Sequence, residues 1–198
     1  MVSWPQMYGL ARRLALAVRA AGPCPDLIVA IARGGYVPAR ILADFLDVMD
    51  LTDVKVEHYR GARRAGAAAI RYPLCAKVDG RRVLVVDDVS DTGDTFDVAL
   101  KHIRSLGTPA SLQTAVLHHK TVASLEPDFH AAVVSNWRWI IYPWAAMEDL
   151  TGFARAMQPA PSTVQALDEH LQREYGLDDV PRQLLEDVLS LLRPTDAR

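Results

Sequence analysis

Residues 83–95 read VLVVDDVSDTGDT, and this stretch limits the possible folds more than any other. Val83 to Val86 are aliphatic in succession, the pattern of a strand covered on both faces. Such strands belong to parallel sheets whose connections are helices. Asp87, Asp88 and Asp91 then stand at or just past the strand's carboxyl end. Thr92-Gly93-Asp94-Thr95 leads directly into a helical pattern from about Thr95 to Leu106, stopped by Gly107. Backbone N–H groups and two hydroxyls therefore converge at the positive end of a helix, which suits a phosphate. Paired carboxylates beside a phosphate cradle repel the phosphate unless they hold something else. Sugar hydroxyls and hydrated Mg²⁺ are the ready candidates. The segment reads as a grip for a phosphorylated sugar.

The rest of the chain agrees with an α/β class. Ser3-Trp4-Pro5-Gln6 is a helix start, and that helix runs to about Ala20, before Gly22-Pro23. Asp26 to Ala32 is a short apolar run broken by Gly34-Gly35, with a helix from Val37 to about Leu46 after it. Val54–Tyr59 and Leu112–His118 read as strands, and Ala131–Ser135 and Trp139–Tyr142 as short ones. Tyr59 to Pro73 is basic, rich in Gly and Ala, and without a period, so it reads as a loop. Strands alternating with helices describe a parallel sheet covered on both faces. Ligands of such sheets sit at the carboxyl ends of strands. That places function at Arg33-Gly34-Gly35 and at Asp87–Thr95.

Composition excludes several partners. The chain has 198 residues, is 50% hydrophobic and carries a net charge of −2, which favours neither nucleic acid nor a membrane surface. No apolar run approaches the roughly 20 residues that span a bilayer, and the N-terminus does not have the form of a signal peptide. Cys24 and Cys75 are far apart and form no metal-ligand pair, so a reduced, cytoplasmic setting is expected. Gln158-Pro159-Ala160-Pro161 reads as a linker, and Ser162–Tyr175 and Pro181–Leu192 as two amphipathic helices. From Ala160 onward eight acidic residues face four arginines, which argues against a DNA-binding module.

VLVVDDVSDTGDT closely resembles the 5-phosphoribosyl-1-pyrophosphate (PRPP) signature of type I phosphoribosyltransferases, and matches it in character at every position. The resemblance implies a Rossmann-like fold: a central parallel sheet flanked by helices, here with a C-terminal helical extension. It implies a phosphoribosyltransferase domain over 1–157, with a base-binding hood at about 120–150; the helical extension over 158–198 lies outside the resemblance. It covers roughly Ser3 to Asp149. PRPP would be bound by Asp87, Asp88, Asp91, Thr92, Gly93, Asp94 and Thr95, with Mg²⁺ near Asp88 and Asp87. An acid at Asp91 resembles the 6-oxopurine branch. A carboxylate there can accept the ring proton that must leave as the glycosidic bond forms.

Other segments extend the resemblance. Arg33-Gly34-Gly35-Tyr36-Val37-Pro38 matches the pyrophosphate loop, and the family's cis non-proline peptide is expected at Arg33-Gly34. Glycine lets backbone N–H groups approach an anion, and Arg33 offers a fork of donors. The 59–73 loop stands where family members have a loop that closes over the reaction centre. Arg60, Arg63, Arg64 and Arg71 are its candidate pyrophosphate ligands. Lys120, after His118-His119, matches a lysine that donates to the purine O6. The adjacent histidines point to opposite faces of a strand and suggest no metal site. Trp139-Ile140-x-x-Pro143-Trp144 is similar to the base-binding segment of short microbial xanthine–guanine phosphoribosyltransferases. It implies stacking by Trp139 and a backbone contact from Ile140, with Trp137 as a competitor. Two positions depart from the pattern. Ala145 replaces an acid that often follows Pro-Trp, and Asp94 puts a carboxylate near the phosphate turn.

The expected function is transfer of the 5-phosphoribosyl group from PRPP to hypoxanthine, guanine or xanthine, by a cytoplasmic homodimer or homotetramer. The alternative from another class is a non-catalytic PRPP- or nucleotide-sensing regulator of the same fold. A response-regulator-like domain would explain the strand-end acids but not RGG, Lys120 or the Trp segment.

Overall fold

The computed structural model describes residues 1–58, 68–136 and 138–192. By packing, the chain forms two units. One is Pro5–Trp137, and the other joins Met1–Trp4 to Arg138–Arg198.

The larger unit alternates as its sequence pattern requires: α1 (Trp4–Ala21), β1 (Leu27–Ala32), α2 (Tyr36–Leu46), β2 (Leu51–His58), β3 (Ala68–Tyr72), β4 (Arg82–Ser90), α3 (Asp94–Ser105), β5 (Ser111–Lys120) and β6 (Phe129–Val134). The strands form one sheet in the order β3-β2-β1-β4-β5-β6. Every pairing is parallel except β2 with β3. All six residues of β1 are buried, as a doubly covered strand demands. Leu27, Val29 and Ile31 share a core with Val83, Val85 and the α3 residues Phe96, Ala99, Leu100 and Ile103. Alternation then turns Ile28, Ala30, Leu84 and Val86, all equally buried, to the opposite face. The chain leaves β1 toward β2 on one side, and β4 leads to β5 and β6 on the other. The order therefore reverses between β1 and β4. A crevice opens at such a switch point, where two connections diverge at the carboxyl ends of the strands.

The smaller unit is helical. It contains α4 (Ala146–Ala156), α5 (Val164–Tyr175) and α6 (Arg182–Leu192). Thr163 caps α5, its hydroxyl oxygen accepting from the Ala166 N–H at 3.2 Å. Leu150 and Ala154 of α4 share one core with Leu167 and Leu171 of α5, Leu185, Val188 and Leu189 of α6, and Ile141.

Two expectations are corrected. The segment read as a patternless loop from Tyr59 to Pro73 includes a strand, β3, paired antiparallel to β2. Its half-exposed residues, small and aliphatic beside a basic one, leave no clear alternation. Trp139–Tyr142 is not a strand. Ile141 is instead an anchor in the helical core, and its carbonyl accepts from the Val2 N–H at 2.8 Å. Residues 138–157 pack with the helices that follow, the apolar face of α4 being covered by α5 and α6. No helix among the described residues is long and apolar enough to cross a membrane.

Candidate active site

The two glycine-bearing turns meet at the switch point. Gly34, after β1, lies so close to β4 that a Cβ there would stand 2.6 Å from the Asp88 carboxylate atoms. At Gly35 a Cβ would stand 2.3 Å from the Val86 carbonyl oxygen, and the Gly35 N–H donates to the Ile31 oxygen at 2.8 Å. At Gly35 no side chain fits between the backbones, and at Gly34 one would displace the Asp88 carboxylate, so the RGG loop and the acid pair share one place. The cis non-proline peptide stands at Ala32-Arg33, one bond earlier than the expected Arg33-Gly34. The reversal begins where β1 leaves the sheet, and the glycines serve the close approach to β4.

β4 runs farther than its aliphatic residues suggest, through Asp87 and Asp88 to Ser90. Strand alternation sends the two acids to opposite sides. Asp87 is buried, and its Oδ1 accepts the Asp88 N–H at 2.9 Å. Burial raises the Asp87 carboxyl well above the usual carboxylate range. The neighbouring Asp88 charge pushes it further, against a smaller lowering by the Asp88 N–H. A buried carboxyl of this kind is ready for a cation or for hydroxyl donors. Among the described residues no group of three or more His, Cys, Asp or Glu is placed to hold a metal ion. Two carboxylates nevertheless suit Mg²⁺, which keeps water and substrate oxygens in its shell and needs no protein cage.

A cavity of about 230 Å³ follows, lined by residues 87–93 with Thr95 and Phe96. Gly93 precedes α3 in the left-handed region at φ 95°, and no side chain caps the helix there. A Cβ at Gly93 would stand 2.8 Å from the Leu125 nitrogen and from the Ser124 Oγ. The turn is clasped from the β5–β6 connection. Both the N–H and the hydroxyl of Ser124 donate to the Thr92 oxygen at 2.8 Å, and the Ser90 hydroxyl donates to the Leu125 oxygen at 3.4 Å. This clasp has no local sequence signal, since its partners lie far apart in the chain. Asp94, whose charge departs from the resembled pattern, does not line the cavity. Its carboxylate accepts from the Thr92 hydroxyl at 3.1 Å.

Strand register builds the next contact. β4 and β5 are parallel with Ser90 opposite His119, so the residues that follow, Asp91 and Lys120, fall side by side. Lys120 Nζ lies 2.9 Å from Asp91 Oδ1. The lysine side chain is 5% exposed, whereas the aspartate is half-open to solvent. One residue before Lys120 on β5, His119 sits beside His130 of β6 with ring centroids 5.6 Å apart, and burial lowers the His119 pKa.

The larger unit thus gathers Gly34, Gly35, Asp87, Asp88, Asp91, Thr92, Gly93, Thr95 and Lys120 around one crevice. Arg33 is exposed at the start of its loop, and Arg71 lies in β3 over the Tyr72 ring. Arg60, Arg63, Arg64 and Trp137 fall outside the described residues. Trp139 and Ile140 belong to the helical unit. There the Trp139 indole N–H donates to Asp149, whose carboxyl is raised by burial to about 6. Asp149 had no signal in the sequence.

The chain matches the phosphoribosyl transferase domain family over residues 2–147. A xanthine-guanine phosphoribosyltransferase of Cereibacter sphaeroides is 32% identical over 149 residues, 72% of this chain and 84% of that protein. The crystal structure of a purine phosphoribosyltransferase from Pyrococcus horikoshii Ot3 is 33% identical, with a TM-score of 0.65 over 72% of this chain and 91% of the other. A hypothetical protein from Neisseria gonorrhoeae with bound ppGpp, 23% identical, shares the fold with a TM-score of 0.63 over 96% of this chain and 95% of its own.

Proposed function

Because this chain belongs to the phosphoribosyl transferase domain family, we propose that it transfers the 5-phosphoribosyl group of PRPP to a 6-oxopurine, giving the nucleoside 5′-monophosphate and pyrophosphate. One observation carries the reading: the RGG loop, the acid pair and the Thr-Gly turn lie together at the switch point, with Asp91 and Lys120 beside them.

The residues divide the work by chemistry. The 5-phosphate sits on the Thr92–Thr95 turn, where the N-terminus of α3 and the Thr95 hydroxyl favour an anion and the Thr92 hydroxyl exchanges its Asp94 partner for the phosphate. Asp87 and Asp88 accept the ribose hydroxyls. They are also the residues that would hold Mg²⁺, which when bound neutralises charge on the departing pyrophosphate. Arg33 and the Gly34-Gly35 amides bind that pyrophosphate from the other side. Arg60 or a neighbouring arginine of the 59–73 segment completes its grip. Lys120 donates to the purine O6. Trp139 stacks on the ring, and the Ile140 backbone accepts from its edge. As the ring nitrogen bonds to C1, the C1–oxygen bond breaks and pyrophosphate leaves. The ring proton passes to Asp91. The enzyme acts in the cytoplasm as a homodimer or homotetramer, with residues 1–157 as the transferase domain and 158–198 as its extension.

The test is direct. The protein is mixed with PRPP, Mg²⁺ and each purine in turn, and nucleotide and pyrophosphate are followed. Product from hypoxanthine, guanine or xanthine is the expected result. Product from adenine alone overturns the 6-oxopurine assignment. No product from any base, with PRPP still bound, would mark a sensor of the same fold.

A further inference from the structure

The aromatic residue assigned to the purine does not stand by itself. Trp139 is 51% exposed, a poor state for a ring that must present a fixed face. Its indole N–H donates to the carboxylate of Asp149, in the first turn of α4. Its ring meets Phe153, one helical turn farther along α4, nearly edge-on, with centroids 5.7 Å apart at 75°. Phe153 is itself stacked on Tyr175 at the end of α5, with centroids 3.9 Å apart at 19°. His170, one turn earlier on α5, closes the row against Tyr175 at 5.9 Å. Asp149, Phe153 and Tyr175 all lie beyond residue 147, where the family match ends. The α5 helix that supplies Tyr175 is anchored by Leu167 and Leu171 in the core it shares with α4 and α6.

Resting on the transferase reading above, we propose that the segment after residue 147 holds Trp139 for the purine: Asp149 fixes the indole by its N–H, and the Phe153–Tyr175 stack fixes the ring's tilt. A carboxylate acceptor for the indole restrains rotation of the ring, and an edge-to-face neighbour sets its plane. The acidic extension then helps to hold Trp139 and is not only a covering for α4. Asp149, Phe153 and Tyr175 are positioning residues, since they act through Trp139.

Two readouts test this in the full chain. The first is steady-state kinetics with whichever purine the wild type uses. Asp149→Ala and Tyr175→Ala should each raise KM for the base about three- to tenfold, more than they lower kcat, and leave KM for PRPP unchanged. Asp149→Asn, which keeps an acceptor, and Tyr175→Phe, which keeps the ring, should restore KM for the base. The second readout needs no turnover. In protein labelled with ¹⁵N-tryptophan, the Trp139 indole signal, assigned by its loss in Trp139→Phe, should move in both alanine variants. An unmoved signal, or equal rises in both KM values, overturns the proposal. The outcome in which Trp139→Ala raises KM for the base but Asp149→Ala and Tyr175→Ala do not overturns it while sparing the role of Trp139. No effect of Trp139→Ala removes that role and this inference with it.

Discussion

Lys120 Nζ and Asp91 Oδ1 lie 2.9 Å apart, although α3 and most of β5 separate them in sequence. The contact follows from parallel register, which sets Ser90 against His119 and so aligns the next residue of each strand. A buried lysine beside an open carboxylate puts a hydrogen-bond donor and an acceptor side by side. A 6-oxopurine has the complementary pair, a carbonyl and a ring N–H.

Asp91→Asn removes the acceptor and keeps the shape. Turnover should fall by about 10²–10⁴, the usual contribution of a positioned acid–base group. PRPP affinity, measured by titration calorimetry, should stay within a few-fold, because the Thr92–Thr95 turn and the Asp87–Asp88 pair remain. Near-normal turnover in this variant would remove Asp91 from the chemistry.

Gly93→Ala tests the turn itself. Its φ of 95° disfavours any side chain, and the added methyl would meet the Leu125 nitrogen and Ser124 Oγ. A residue held in such a conformation costs about 1–3 kcal/mol. Urea unfolding should show a loss of that size, and PRPP affinity should fall as well, since the Ser124–Thr92 clasp must open to admit the methyl. Unchanged stability would mean the turn relaxes more easily than its contacts indicate.

How much of this was legible in sequence varies by element. β4 and α3 were plain, because an aliphatic run and a Thr-Gly turn are local signals and local forces place them. The acid pair's exact setting was less so: the strand continues through Asp87 and Asp88, and polar residues at a strand's end look like a loop. β3 was hidden because an edge strand of small and basic residues has no alternation to read. The side-by-side placement of Asp91 and Lys120 depends on register, which a single sequence does not state; the family resemblance gave each residue a role but not their contact. The Ser124–Thr92 clasp and the Asp149–Trp139 bond join residues that only the folded chain brings together.

Asp87 should make ligand-free stability depend on pH in an uncommon direction. Burial raises its folded-state pKa, so folding favours the neutral acid. That contribution is complete below the unfolded value, about 3.9, and is lost as pH rises through the raised one. Asp87→Asn should therefore match the wild type near pH 4 and exceed it at pH 8, as measured by urea unfolding at each pH. PRPP binding with Mg²⁺ should run the other way, tightening with rising pH in the wild type and staying flat in Asp87→Asn. Parallel stability curves for the two proteins would show that Asp87 ionises as freely in the fold as outside it.

Asp149 gives a second titration, separable from the first by position and by signal. Partial burial raises its carboxyl to about 6; the Trp139 N–H opposes that rise, and Glu148 adds to it. The folded state again favours the neutral acid, so its share of stability is full below about 3.9 and disappears as pH climbs past about 6. Asp149→Asn should become the more stable protein across that window. The indole reports the opposite trend, because an ionised carboxylate is the stronger acceptor. The Trp139 ¹⁵N–H signal in the wild type should shift with a midpoint near 6, downfield toward high pH, and should not titrate in Asp149→Asn. A signal that titrates equally in both proteins would assign the proton to another group and detach Asp149 from the ring it is placed to hold.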